Sequence, residues 1–190
     1  SSQLSGTYQS AVLAKDLVDY DKIYLIDSLS VTHGIRLLAE YGQELARQNK
    51  SAEEIVAELE QIKGNIKLYA TLDTLEYLYK GGRLNKTTAM LGEMAKVKPS
   101  ITIADGKVAV IGKSIGKSRA ISAVIKAFEK CKLDERFPIY SIFTYGIEKS
   151  ELFEERLKEL GVEVKERLQV GATIGTHIGP GAFGMVFISK

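Results

Sequence analysis

The sequence predicts an α/β fold in two parts, and three observations support this class. A short apolar run at 23–26 lies between helical patterns in the first part, which favours parallel strands joined through helices. The second part has several short strands beside helices, as is typical of a mixed or antiparallel sheet. Within it, Asp105-Gly106 between alternating apolar residues predicts a hairpin with a tight turn. We therefore expect a partial N-terminal domain at 1–65 and a C-terminal domain at 66–190.

Three helices are predicted in the first part. Apolar residues recur at helical spacing over 8–17 and again over 35–45. Ser51 and Glu54 have the spacing of a capping box, so a third helix is expected to start there, and Gly64 ends it. Because a lone strand at 23–26 does not make a stable sheet, we expect its neighbours to come from residues ahead of Ser1 or from a second copy in a homodimer.

The second part is predicted to alternate between short strands and helices. In chain order these are a strand at 66–70, a helix at 72–79, a helix at 86–96, the hairpin strands around 101–103 and 108–110, a helix at 121–128, a strand at 139–143, a helix at 152–160, an edge-like strand at 162–164 and a strand at 185–188.

Composition excludes several classes of function. With 26 basic and 24 acidic residues, the net charge of +2 does not predict a nucleic-acid partner. No apolar run reaches the roughly 18 residues of a membrane span, so no integral membrane segment is predicted. A single cysteine, Cys131, and two histidines do not predict a metal site. A cytoplasmic protein is the expectation.

A cluster of small polar residues lies before the first predicted helix. Ser2, Ser5, Gly6 and Thr7 can direct hydroxyls and backbone N–H groups at an anion, and the start of a helix adds partial positive charge. A carboxylate or phosphate is the natural ligand. Plain N-capping by Ser5 or Thr7 is the alternative.

In a second cluster, Gly-Thr-His-Ile-Gly-Pro-Gly at 175–181, small or rigid residues frame His177. Glycines permit close approach of a ligand, and a histidine held there can donate a hydrogen bond to an acid. The alternative is a turn with an incidental histidine. The other histidine, His33, is expected at a helix start with a structural role.

Two further motifs bear on ligand binding. Residues 112–118 resemble a P-loop, but Gly112 is one residue too close to Gly116-Lys117-Ser118, so nucleotide binding is not predicted. Arg83 follows Gly81-Gly82 at a predicted helix end, where it is expected to be exposed and able to donate several hydrogen bonds. A surface arginine favourable to the helix dipole is the alternative.

Taken together in this order, several stretches resemble the DegV family over essentially the whole chain. They are 4–11, Asp27-Ser28, 73–78 leading to Gly81-Gly82-Arg83, Lys98-Pro99 with the Asp105-Gly106 hairpin, and 175–181. The resemblance implies a two-domain α/β fold that carries a long-chain fatty acid between its domains. Family members have an earlier stretch that is not in this sequence, so we expect that an N-terminal segment is lacking.

The resemblance also implies roles for particular residues. The hydroxyl cluster with Ser2, Ser5 and Gly6, together with Thr176 and His177, resembles the site of the fatty-acid carboxylate. Arg83 resembles the residue that faces a partner, the catalytic subunit of a fatty acid kinase.

The expected function is non-catalytic: the protein holds the acid and presents its carboxylate to the kinase for acyl-phosphate formation, with no cofactor besides the bound fatty acid. One alternative is an enzyme subunit of the related dihydroxyacetone-kinase type, which binds a small ketone and needs a small polar pocket. The other is a regulatory module without a ligand. An apolar tunnel would favour the carrier.

Overall fold

A computed structural model describes residues 1–85 and 97–190, so the helix predicted at 86–96 lies outside the described residues. The helices are α1 (Thr7–Asp16), α2 (His33–Arg47), α3 (Ala52–Ile62), α4 (Glu76–Lys80), α5 (Lys117–Glu129), α6 (Glu148–Glu159) and α7 (Ala172–Ile178), with a 3₁₀ turn at Lys63–Asn65. The strands are β1 (Ile66–Thr71), β2 (Val97–Ala104), β3 (Lys107–Ile115), β4 (Tyr140–Phe143), β5 (Glu166–Gln169) and β6 (Phe183–Ile188).

The strands form a six-stranded mixed sheet in the order β3-β2-β1-β6-β4-β5. The pairs from β3 to β4 are antiparallel, whereas β4 and β5 run parallel. The prediction of a mixed sheet with helices in the second part is therefore confirmed.

The two faces of the sheet are covered by different helices. Along β6, Phe183, Met185 and Phe187 point to one face and pack with apolar residues of α5 and α6. Val186 and Ile188 point to the other face, where α2 and α3 contribute to the core. Side chains alternate between the faces of a strand, so each cluster draws on every second residue. The division at residue 65 stays a prediction, although α2 and α3 share the core of the sheet.

The centre of the second face has little side-chain bulk. Ala70 of β1 lies opposite Gly184 of β6, and Gly184 lies opposite Ile142 of β4. A Cβ atom on Gly184 would come within 2.1 Å of the Tyr69 carbonyl oxygen and 2.6 Å of the Ala70 Cα. Glycine is therefore required for β1 and β6 to approach this closely.

Two local predictions are confirmed in detail. The Ser51 Oγ accepts a hydrogen bond from the Glu54 N–H at 3.2 Å, and the Ser51 N–H donates to the Glu54 carboxylate at 2.8 Å, which completes the capping box of α3. In the hairpin between β2 and β3, Asp105 and Gly106 have φ values of 48° and 76°. Positive φ at both positions is the signature of a type I′ turn.

Two strand predictions are wrong. Residues 1–65 are all described and contain helices but no strand, so the parallel portion expected around 23–26 is absent there. That segment lies against α3, where the Tyr24 hydroxyl donates to Glu53. The strand expected at 162–164 lies further along, as β5, because pairing with β4 places Glu166 opposite Tyr140.

Candidate functional site

A cavity of about 110 Å³ lies on the face of the sheet opposite α5 and α6. Its floor is formed by side chains of four strands, and α7, α4 and the segments near residues 4 and 31 surround it. The apolar lining residues are Leu4, Val31, Leu68, Ala70, Leu72, Leu78, Ile101, Ile103, Val108, Ile142, Val170, Ile174 and Ile178. A lining of this kind suits the apolar part of a ligand.

The remaining lining residues are polar, namely Ser5, Thr32, Arg83, Thr173 and His177. Ser5, Arg83 and His177 come from three separate parts of the chain, and contacts between their segments bring them to the same region. An amphipathic ligand needs a few polar groups beside an extensive apolar surface. The polar groups orient one end of the ligand, and the apolar surface encloses the rest.

Only one residue of the N-terminal hydroxyl cluster lines the cavity. Ser5 is exposed, and its Oγ accepts a hydrogen bond from the Thr7 N–H at 3.2 Å at the start of α1. The N-cap of α1 is Gly6, and no side chain of the described residues donates or accepts a capping hydrogen bond there. Ser2 is held elsewhere, because its N–H donates to the Asp27 carboxylate at 3.0 Å. Gly6 precedes α1 and does not line the cavity.

His177 lies in the last turn of α7, and Gly179 ends that helix. Ile174 and Ile178 are one helical turn apart and both pack against the core, which favours the helix. Thr176 is on the exposed side, where its hydroxyl donates to the Thr173 carbonyl at 2.9 Å, and it does not line the cavity.

The imidazole of His177 is seated against Gly81. A Cβ atom at Gly81 would lie 2.0 Å from the His177 Nδ1, so only glycine leaves room for the ring. The Nδ1 atom is buried, and it has no hydrogen-bond partner among residues 1–85 and 97–190. A buried polar atom of this kind costs free energy unless a ligand or another group satisfies it.

Arg83 extends from the end of α4 to the N-terminal segment. Its Nε donates to the Leu4 carbonyl oxygen at 3.0 Å, and its guanidinium also donates to the Gly81 carbonyl oxygen. The residue is exposed, as predicted, and it also lines the cavity that contains Ser5 and His177. Sequence spacing did not indicate this proximity, because the contact with Leu4 joins residues 79 positions apart.

The arrangement provides donors for an anion but no centre for a metal. A serine hydroxyl and an imidazole can both donate to a carboxylate. Among the described residues, no group of three or more His, Cys, Asp or Glu side chains could hold a metal ion. Every helix in the described part of the chain falls short of the length and apolar character that crossing a membrane requires.

Fold and cavity together define an α/β protein with an amphipathic ligand site on one face of a mixed sheet. The family model that matches residues 1–190 is that of the DegV family, described as uncharacterised proteins, and the chain belongs to this family. The resemblance seen in the sequence is thereby confirmed. A DegV domain-containing protein of Caldanaerobacter subterraneus is 37% identical over 194 residues, which cover 100% of this chain and 69% of that one.

Solved structures of related proteins share the fold. A DegV family protein from Thermus thermophilus, described for its fatty acid binding, is 29% identical with a TM-score of 0.84 and is matched over 100% of this chain and 69% of its own. A stearic acid-binding protein from Eubacterium ventriosum is 25% identical with a TM-score of 0.83, over 99% of this chain and 69% of its own.

Proposed function

We propose that this protein binds a long-chain fatty acid, with the acyl tail in the cavity and the carboxylate at Ser5 and His177. The observation that carries the proposal is the apolar cavity with these polar residues in its lining. The fatty acids in the descriptions of the Thermus and Eubacterium relatives support the same ligand class.

The energetics of such a ligand agree with the composition of the cavity. Burial of each CH₂ group contributes about 0.8 kcal/mol, so the tail supplies most of the affinity. The carboxylate needs only a few donors in a partly desolvated place.

We further propose that the protein is a cytoplasmic, non-catalytic carrier that presents the carboxylate to a separate kinase for acyl-phosphate formation. Arg83 is the residue assigned to face that partner, and its exposure beside the cavity supports this role. A small-ketone enzyme is disfavoured because the lining of the cavity is chiefly apolar rather than polar. A module without ligand is the outcome if no fatty acid binds.

Replacing His177 with Ala is expected to weaken binding of stearic acid without unfolding the protein. The loss of one hydrogen bond to a charged group costs about 1.5–3 kcal/mol, which corresponds to roughly 10-fold to 100-fold in affinity. Titration with a fluorescent fatty acid measures the change. Thr176→Ala is the matched control, since Thr176 is adjacent but does not line the cavity. Equal affinities of the His177→Ala variant and the wild type would refute the assignment.

Replacing Arg83 with Ala is expected to leave binding of the acid close to that of the wild type and to impair its phosphorylation. The hydrogen bond to the Leu4 carbonyl is a modest contribution of about 0.5–1.5 kcal/mol, whereas a charge that meets the partner acts mainly on that encounter. Acyl-phosphate formation with a fatty acid kinase subunit is compared with direct titration.

The control for Arg83 is Lys80→Ala, which removes a cation at the last residue of α4, with a side chain that is 70% exposed. This variant is expected to behave as the wild type in both assays. If Arg83→Ala loses acid binding and phosphorylation to the same extent, Arg83 belongs to the ligand site and not to the surface that meets the partner.

A further inference from the structure

Three charged side chains form a compact cluster beside the turn that follows α7. Asp73 lies two residues beyond β1, Lys98 is in β2, and Lys149 is in the first turn of α6. The Nζ atoms of Lys98 and Lys149 lie 2.8 Å and 2.7 Å from the same Asp73 oxygen. The three side chains are 36%, 27% and 30% exposed for Asp73, Lys98 and Lys149, so none is freely solvated.

The cluster is hydrogen-bonded to the backbone of the turn at residues 179–181, which follows α7. Lys149 Nζ donates a further hydrogen bond to the Gly181 carbonyl oxygen at 3.1 Å. Gly181 has a φ of 72°, and a Cβ atom there would lie 2.5 Å from the Asp73 carboxylate. The absence of a side chain at Gly181 therefore allows the carboxylate and the ammonium to lie directly against this turn.

The other end of the turn is fixed by contact with α4. Gly179 ends α7 with a φ of 74°, and a Cβ atom there would lie 2.3 Å from the ring of Tyr77. His177 is two residues earlier, with its ring against Gly81 at the end of the same helix α4. A displacement of the turn would thus be transmitted directly to the last turn of α7 and to the imidazole.

We propose that Asp73, Lys98 and Lys149 act as a clamp on the turn 179–181 that positions His177 for the ligand carboxylate. This inference rests on the proposed function. None of the three residues lines the cavity, so they are positioning residues and not ligand contacts. A binding site requires placement of its groups within about 0.5 Å, and a clamp on the backbone next to His177 provides it.

The charge state of Asp73 suits this role. Burial by itself raises the pKa of Asp73, but the hydrogen bonds from Lys149 and Lys98 outweigh that effect and hold the pKa below its ordinary value. The carboxylate is therefore charged at neutral pH and retains both ammonium groups. Ion pairs with this degree of exposure contribute little to global stability, so the effect of the clamp is local.

The test distinguishes the contribution of the ligand carboxylate to affinity from that of the tail. Stearic acid and octadecanol share the same chain, but only the acid has a carboxylate. In Asp73→Asn we expect affinity for stearic acid to fall about 10-fold, affinity for octadecanol to stay unchanged, and the melting temperature to move little. Lys149→Met, which removes the donor to Gly181, should reproduce this pattern if the asparagine variant folds poorly. Glu76→Gln, which breaks an exposed ion pair on α4, is the control and should leave both affinities unchanged.

A double-mutant cycle decides whether the clamp acts through His177. Combining Asp73→Asn with His177→Ala should cause no further loss for stearic acid beyond that of His177→Ala alone. Fully additive losses, equal losses for acid and alcohol, or wild-type behaviour of the clamp variants would each overturn the inference. Failure of the wild-type protein to bind stearic acid would instead refute the proposed function, and with it the inference that depends on that function.

Discussion

Replacing Ala70 with Phe is expected to abolish binding of long-chain fatty acids while the protein remains folded. Ala70 is in the central strand β1, lines the cavity and lies opposite Gly184. A phenyl ring at this position would occupy the space of several methylene groups of the tail. If three or four of them are displaced at about 0.8 kcal/mol each, the affinity falls by roughly 100-fold or more.

Titration with stearic acid and a thermal unfolding curve measure binding and folding separately for this variant. Ala104→Phe adds the same ring to the exposed end of β2, away from the cavity, and is expected to bind as the wild type does. The smaller change Ala70→Leu should still admit shorter acids. Undiminished affinity for stearic acid in Ala70→Phe would mean that the tail lies elsewhere.

Replacing Gly184 with Ala is expected to cause a severe loss of stability. The added methyl group would meet the backbone of β1 at 2.1 Å, and real Cβ atoms do not approach backbone so closely. The two central strands would have to separate, which breaks the packing on both faces of the sheet. We expect a decrease of about 3 kcal/mol or more in the free energy of unfolding, at the upper end for overpacked interiors.

Urea unfolding of Gly184→Ala should be compared with that of Gly112→Ala. Gly112 is in the edge strand β3 of the same sheet, and a Cβ atom there would have no neighbour within 4 Å. The control is expected to be neutral or slightly stabilising, because alanine reduces the freedom of the unfolded chain. Similar stabilities of the two variants would show that β1 and β6 can accommodate a side chain between them.

Features that depend on a few neighbouring residues could be predicted from the sequence. The capping box of Ser51 and Glu54 and the turn at Asp105-Gly106 form through short-range contacts, so the residue types alone indicate them. The run at 23–26 has the composition of a buried strand, but a strand also needs a partner in a ladder, and a short apolar run carries no information about one.

The sequence predicts only part of the candidate site. Ser5 and His177 were expected together because of the family resemblance, since no spacing rule connects residues so far apart. The glycines of 175–181 indicate a turn only as an alternative, and they do not indicate α7, which depends on packing of Ile174 and Ile178 against the core. The proximity of Arg83 to Leu4 depends on how α4 packs, which local pattern does not encode.

The order of strands in the sheet has a consequence for how the chain folds during its synthesis. Among the strands that the structure describes, β6 comes last in the chain, yet it lies between β1 and β4. Until Phe183–Ile188 leaves the ribosome, β3-β2-β1 and β4-β5 can form only as separate ribbons, each with an open edge where β6 belongs. Contacts between β1 and β6 span more than a hundred residues, and such long-range pairing slows folding. The nascent protein therefore exposes two unprotected strand edges for longest, and these are the places where a chaperone or another nascent chain would pair with it.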